Sequence, residues 1–358
     1  MGTFQRAVIG VLILTAGVLR LYGVVPSDII ALASIATGIG IALLAWRMFD
    51  SWEITVGSLF FAVFSSWDLM ATRNGDLAVL AACAAVWLFF VLYRGIETGH
   101  IWYWFFAGAI LGLGYQYDLP FRILGVAVIV VLVAYWLALW IKFRNHGRFK
   151  FARQQILGSI ALMAVTVFIF SLPEVAQLTK QGFDMPWTIL ASGSFWSDLV
   201  RDIPQTLALF FLPESRLISL PFAVLFVAGL IHIVWRFVHS WRMHGHPGVS
   251  HSLILGWLFV GLASVMLADT TVTIADSSRL MILFPVVCIY AGIGFHWLRV
   301  SFQRWYRARD ERLVCLPWYR HAGRIGERLC IGESVLATII AASAVLLSVG
   351  ISEISRYF

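Results

Sequence analysis

An apolar run from Val8 to Val25 is followed, after only Pro26, Ser27 and Asp28, by a second long apolar run, and the pattern repeats along most of the chain. Each run approaches the ~20 residues an α-helix needs to cross the hydrocarbon core of a bilayer. Outer-membrane barrels carry short segments of alternating polarity instead, which these continuous runs exclude. Hydrophobic residues make up 60% of the chain, charged residues 13%, and the mean hydropathy is +0.86. A soluble domain would carry about 25% charged residues. The chain reads as an all-α polytopic integral membrane protein. The run Val8–Val25 follows Arg6 and has no small-residue cleavage site after it, so it is expected to stay as a signal-anchor helix.

Hydropathy gives about eleven transmembrane helices, near 6–25, 28–48, 53–71, 75–93, 101–117, 120–141, 155–172, 216–238, 251–268, 279–298 and 333–352. The segment 203–212 is apolar but short, and is expected to dip into the outer leaflet. The loop after the sixth span holds Lys142, Arg144, Arg148, Lys150 and Arg153 without an acid. Arg236 and Arg242 follow the eighth span, and a run of arginines from Arg299 to Arg328 follows the tenth. These loops fall on one side, which the positive-inside rule assigns to the cytoplasm together with the N-terminus. The +7 formal charge is thereby a matter of membrane orientation and does not point to nucleic acid.

Residues 1–358 are read as a single membrane domain: a helical bundle over 6–298, a basic aromatic cytoplasmic segment over 299–332, and a last span with an outer tail over 333–358. Phe302, Trp305, Tyr306, Trp318 and Tyr319 alternate with arginines in the basic segment, which suits a helix on the inner membrane surface among anionic lipid heads, or a docking surface for a partner subunit. Cys83 and Cys288 fall in apolar spans, Cys315 and Cys330 in the basic loop, so no structural disulfide is expected.

Charged groups near membrane depth are costly and therefore have partners or a function. Arg73 and Asp76 bracket Asn74-Gly75 at the outer edge, with Asp68 little more than a helical turn earlier. They form either an ion-pair cluster capping helix ends or part of an outward polar site whose carboxylates take a proton or a metal. Tyr115–Arg122 forms another outer turn, either an aromatic belt ahead of a Pro-started helix or a wall of a cleft. Arg279, after Asp276-Ser277-Ser278, suits a phosphate group or snorkels at a helix end. His232, His251 and His296 sit near inner helix ends, without the paired spacing of haem or chlorophyll ligands; His239, His244 and His246 lack a diagnostic metal spacing.

Five stretches together resemble the GT-C superfamily of membrane glycosyltransferases, in particular bacterial relatives of protein O-mannosyltransferases and aminoarabinose transferases. They are Leu19-Arg20-Leu21-Tyr22-Gly23, Ala45-Trp46-Arg47-Met48-Phe49, Ala71-Thr72-Arg73-Asn74-Gly75-Asp76, Gly112–Tyr117 with Leu119-Pro120-Phe121-Arg122, and Ser278-Arg279-Leu280 with Phe284-Pro285. The resemblance spans most of 6–298 and implies a GT-C-like topology in a bacterial cytoplasmic (inner) membrane. It implies a polyprenyl-phosphate sugar as donor and an inverting attack outside the membrane, with a carboxylate as base. The family carries that carboxylate on a long loop between its first two spans, and here Leu21-Tyr22-Gly23 runs almost directly into Pro26-Ser27-Asp28. Asp28 and Asp76 are the catalytic candidates that remain, and Arg73, Arg122 and Arg279 the candidate ligands of a lipid phosphate. No cofactor is identified; an active enzyme would call for a divalent metal. Partners are membrane lipids, the lipid-linked sugar of an active enzyme, and protein subunits if the bundle is instead a non-catalytic scaffold of a respiratory or photosynthetic assembly. A transporter finds no support in an inverted repeat.

Overall fold

The computed structural model describes residues 3–21, 28–115, 121, 124–125, 128–129, 132, 157–172, 219–244, 248–268, 280–314, 344 and 346–352. Among them the chain is helical, with no strand. The helices are α1 (Thr3–Leu21), α2 (Asp28–Phe49), α3 (Trp52–Phe64), α4 (Ser66–Arg73), α5 (Ala78–Thr98), α6 (Ile101–Gly114), α7 (Leu157–Leu172), α8 (Leu220–His244), α9 (Val249–Ala268) and α10 (Phe284–Val314). Four are long and apolar enough to cross a membrane, within α2, α5, α8 and α10, and the bent pair α3–α4 makes a fifth. Each helix falls on an expected span. The spans expected at 120–141 and 333–352 lie largely outside the described residues.

Short polar punctuation sets the helix ends. Ser51 caps α3 by accepting a hydrogen bond from the Ile54 amide, and Asp50 before it takes a left-handed backbone (φ 47°), so α2 and α3 reverse over two residues. Gly99 ends α5 in the same left-handed region (φ 69°), where its amide closes onto the Gly95 carbonyl.

Helix α10 is the axis of the bundle. Every residue from Leu280 to Phe295 is buried, because its sequence is apolar on all sides rather than along one stripe. It packs most extensively against α8 and next against α3. Two glycines allow this. A side chain on Gly294 would overlap the Leu225 carbonyl of α8, and one on Gly229 of α8 would overlap the Tyr290 carbonyl. On the opposite face, a side chain on Gly292 would come within 2.8 Å of the Ile54 carbonyl of α3. Helices in lipid gain little from hydrophobic burial against one another, so such close backbone packing carries much of the association energy.

Aromatic stacks tie the other helices to this axis. Phe61 of α3 stacks on Phe222 of α8 at 4.9 Å, and Phe89 of α5 on Trp257 of α9 at 4.1 Å. The Trp257 indole also donates to the Ile282 carbonyl at 3.3 Å, just ahead of α10. Helix α7 lies along α6, where Gly108 and Gly112 face Thr166 and Phe170. Helix α1 packs on the outside, with Ala16 against Ala42, Leu59 and Val63.

The polar helix ends gather at one end of the bundle. Arg47 of α2 meets Glu97 of α5 at 2.9 Å, and Arg94 meets the same carboxylate at 3.0 Å. The Ser250 hydroxyl of α9 donates to the Met48 carbonyl of α2 at 3.0 Å. Glu53 of α3 holds both His296 and Arg299 of α10 at 2.6 Å. We call this the basic end; Asp68 and Asp76 lie toward the other. Past it, α10 runs unbroken to Val314, so the basic aromatic segment begins as a continuation of the axial helix.

Replacing Gly294 by Leu should overpack the α8–α10 contact and destabilise the protein by about 1–3 kcal/mol or more. Gly256→Ala, at a position open on all sides, should leave the melting temperature nearly unchanged. Thermal unfolding of the two variants in one detergent compares them directly.

Candidate functional site

The span over α3 and α4 is broken at Ser65, whose extended backbone (φ −65°, ψ 121°) separates two helical stretches inclined by 43°. The break falls at the adjacent serines Ser65 and Ser66, and serine is a residue type that favours helix ends over helix interiors. The break places a polar patch inside the bundle. Asp68, fully buried, accepts a hydrogen bond from the Ser34 hydroxyl of α2 at 2.5 Å. Ser65, Asp68 and Thr72 recur at helical spacing, so they share one face of α4. The hydroxyls of Ser65 and Thr72 are buried without a protein hydrogen-bond partner. Thr37 of α2 adds a further hydroxyl, bonded to the Ala33 carbonyl at 2.8 Å, and Cys83 of α5 reaches Thr37.

Asp76 sits outside this patch, in the turn from Arg73 to Leu77. Its carboxylate Oδ1 accepts from the Ala78 amide at 2.9 Å, and its own amide donates to the Ala71 carbonyl. Gly75 takes a left-handed backbone (φ 68°) that closes the turn. Asp76 therefore serves the first turn of α5 as a cap. Arg73 is exposed in the last turn of α4. Asp28 stands at the first turn of α2, six residues before Ser34 and so about 9 Å further along the helix. Arg122 and Arg279 lie outside the described residues. The structure thus brings Arg73 and Asp76 into one turn.

Sequence reasoning left Asp68 as a neighbour of the candidate acids. Its signal was nevertheless present: one carboxylate within an apolar run, three residues after a Ser-Ser pair. The Asp68 carboxylate is fully buried, with the Ser34 hydroxyl as a partner. It can organise α2 against α4, and the unpartnered hydroxyls beside it suit an ordered water.

At the basic end, Glu53 anchors His296 and Arg299, so that histidine is held by a carboxylate. His232 and His251 lie at the same end, and each has a buried Nδ1 without a hydrogen-bond partner. No group of three or more His, Cys, Asp or Glu side chains among the described residues is arranged to hold a metal ion.

No protein-family model matches the chain, and no curated protein matches it.

Removing either outer acid tests its structural role. Asp76→Ala should cost about 0.5–2 kcal/mol through the lost cap. Asp68→Ala should cost about 1–3 kcal/mol, since it strips the Ser34 hydroxyl of its buried acceptor. Both are read as the fall in melting temperature in detergent. Glu53→Gln should be at least as damaging as Asp76→Ala, because Arg299 and His296 lose the carboxylate they share; the same melts rank all three.

Proposed function

We propose that the chain is an eleven-span membrane protein of GT-C-like architecture, with a cytoplasmic N-terminus in a bacterial inner membrane, that acts as a non-catalytic scaffold subunit of a larger membrane assembly. The observation that carries this reading is the employment of its outer acids. Asp76 caps α5, and Asp68 is sealed inside the bundle on Ser34. The three-residue hinge Pro26-Ser27-Asp28 supports it too, because the resembling enzymes hold their catalytic carboxylate on a long loop at that point.

The basic groups are retained. Arg73 is exposed in the last turn of α4, and the resemblance makes it, Arg122 and Arg279 the candidate ligands of a polyprenyl phosphate. The guanidinium fork suits a phosphate whether or not a sugar is transferred. An active glycosyltransferase is the competing reading, with Asp28 or Asp76 as base and a divalent metal as a candidate cofactor.

Purified protein supplied with labelled polyprenyl-phosphate sugars and divalent metal should show no transfer above background. Turnover lost in Asp28→Asn or Asp76→Asn would establish the enzyme instead. Gentle extraction followed by native electrophoresis should show the protein migrating with other subunits. A lone monomer under those conditions would rule out the scaffold.

A further inference from the structure

Helices α8 and α10 run side by side in the same direction toward the basic end. Two contacts set their register: the Gly229–Gly294 approach, and the His232–Trp297 ring pair at 6.1 Å. Seven residues beyond that ring pair, His239 of α8 and Arg304 of α10 occupy corresponding positions along the two helices. The seam between the helices is open. Trp235 is 56% exposed and Trp297 36%, while Arg236, His239 and Arg304 are also exposed. Trp235 stacks on His239 with ring centroids 5.4 Å apart, and the Arg236 guanidinium lies 5.8 Å from the centre of the Trp235 ring.

The depth of this seam is informative. Past Trp297 the sequence of α10 turns polar, with Arg299, Gln303 and Arg304, so Trp297 lies near the end of its apolar stretch and Arg304 about two turns beyond it. Indole rings favour the level where acyl chains meet head groups. Arg304, about two turns beyond Trp297, reaches the level of phosphate, which a guanidinium holds with paired hydrogen bonds, and Arg236, next to Trp235, reaches toward it along its own flexible side chain. Both kinds of group therefore stand in the order that a phospholipid presents its own parts.

We propose that the seam between α8 and α10 binds an anionic phospholipid, with its phosphate on Arg236, His239 and Arg304 and its acyl chains along Trp235 and Trp297. Charge complementarity selects an anionic head group over a zwitterionic one, because no carboxylate among the described side chains of the seam is available to meet a choline or ethanolamine cation. The site is independent of the scaffold assignment and of the outer arginines.

Full-length protein would be exchanged into detergent containing either phosphatidylglycerol or phosphatidylcholine, and retained lipid counted by native mass spectrometry. Wild type is expected to keep phosphatidylglycerol in preference to phosphatidylcholine and to melt at a higher temperature with it. The double variant Arg236→Gln/Arg304→Gln is expected to lose retained phosphatidylglycerol by about tenfold or more, as befits two lost charge-assisted contacts. Equal retention of the two lipids by wild type would overturn the proposal, whatever the variant does. So would a folded double variant that keeps phosphatidylglycerol as wild type does, or inorganic phosphate alone reproducing the rise in melting temperature.

Discussion

Close backbone contact at Gly292 and Gly294 is the constraint on which the rest of the bundle depends. A helix in lipid cannot expel water to gain energy from its neighbours, so it must gain contact area instead. By omitting side chains on two opposite faces, α10 lets α3 and α8 approach its backbone, and the aromatic stacks on Phe222 and Trp257 then join α3 to α8 and α5 to α9. The burial of Leu280–Phe295 on every side follows from this, as does the placement of Trp67 of α4 against Phe284, with ring centroids 5.7 Å apart.

Polar groups divide between the two ends of this frame. At the basic end, ion pairs lie where water and head groups moderate their cost, and a pair such as Arg47–Glu97, nearly half-exposed on the arginine, contributes little on its own. Glu53 is different, because one carboxylate joins α3 to α10 through both Arg299 and His296. Toward the other end the polar groups are neutral hydroxyls gathered around Asp68, at a point where the chain breaks its own helix. A broken span frees backbone groups, and side-chain hydroxyls or water must then take their place. The kink at Ser65 and the buried patch are two aspects of one local feature.

Much of the fold was legible in the sequence. Long apolar runs with short polar turns announced helices at α2, α5, α8 and α10, since that pattern is set by the thickness of the bilayer. The caps at Ser51 and Gly99 are local chemistry that hydropathy limits do not record. The candidate site was less legible. Arg73 and Asp76 were found as a charged pair, but whether Asp76 faces outward or turns onto the Ala78 amide depends on backbone geometry that residue types do not specify. Asp68 was seen as a neighbour, and only its approach to Ser34, thirty-four residues away in the chain, gave it a role. The break at Ser65 was missed because a run apolar on both sides of a serine pair reads as one continuous span.

The sequence by itself determined that this chain is helical and suited to a membrane, because hydrophobic length and the scarcity of charge are properties of each segment alone. It also carried the glycines and aromatics from which the packing is made. Only the tertiary structure decided that α10 is the axis, that Asp68 meets Ser34 while Asp76 turns onto the Ala78 amide, and that Trp297 of α10 packs beside His232 of α8. Those outcomes depend on which faces of distant helices meet, and helix-to-helix register is a property of the assembled bundle rather than of any one span.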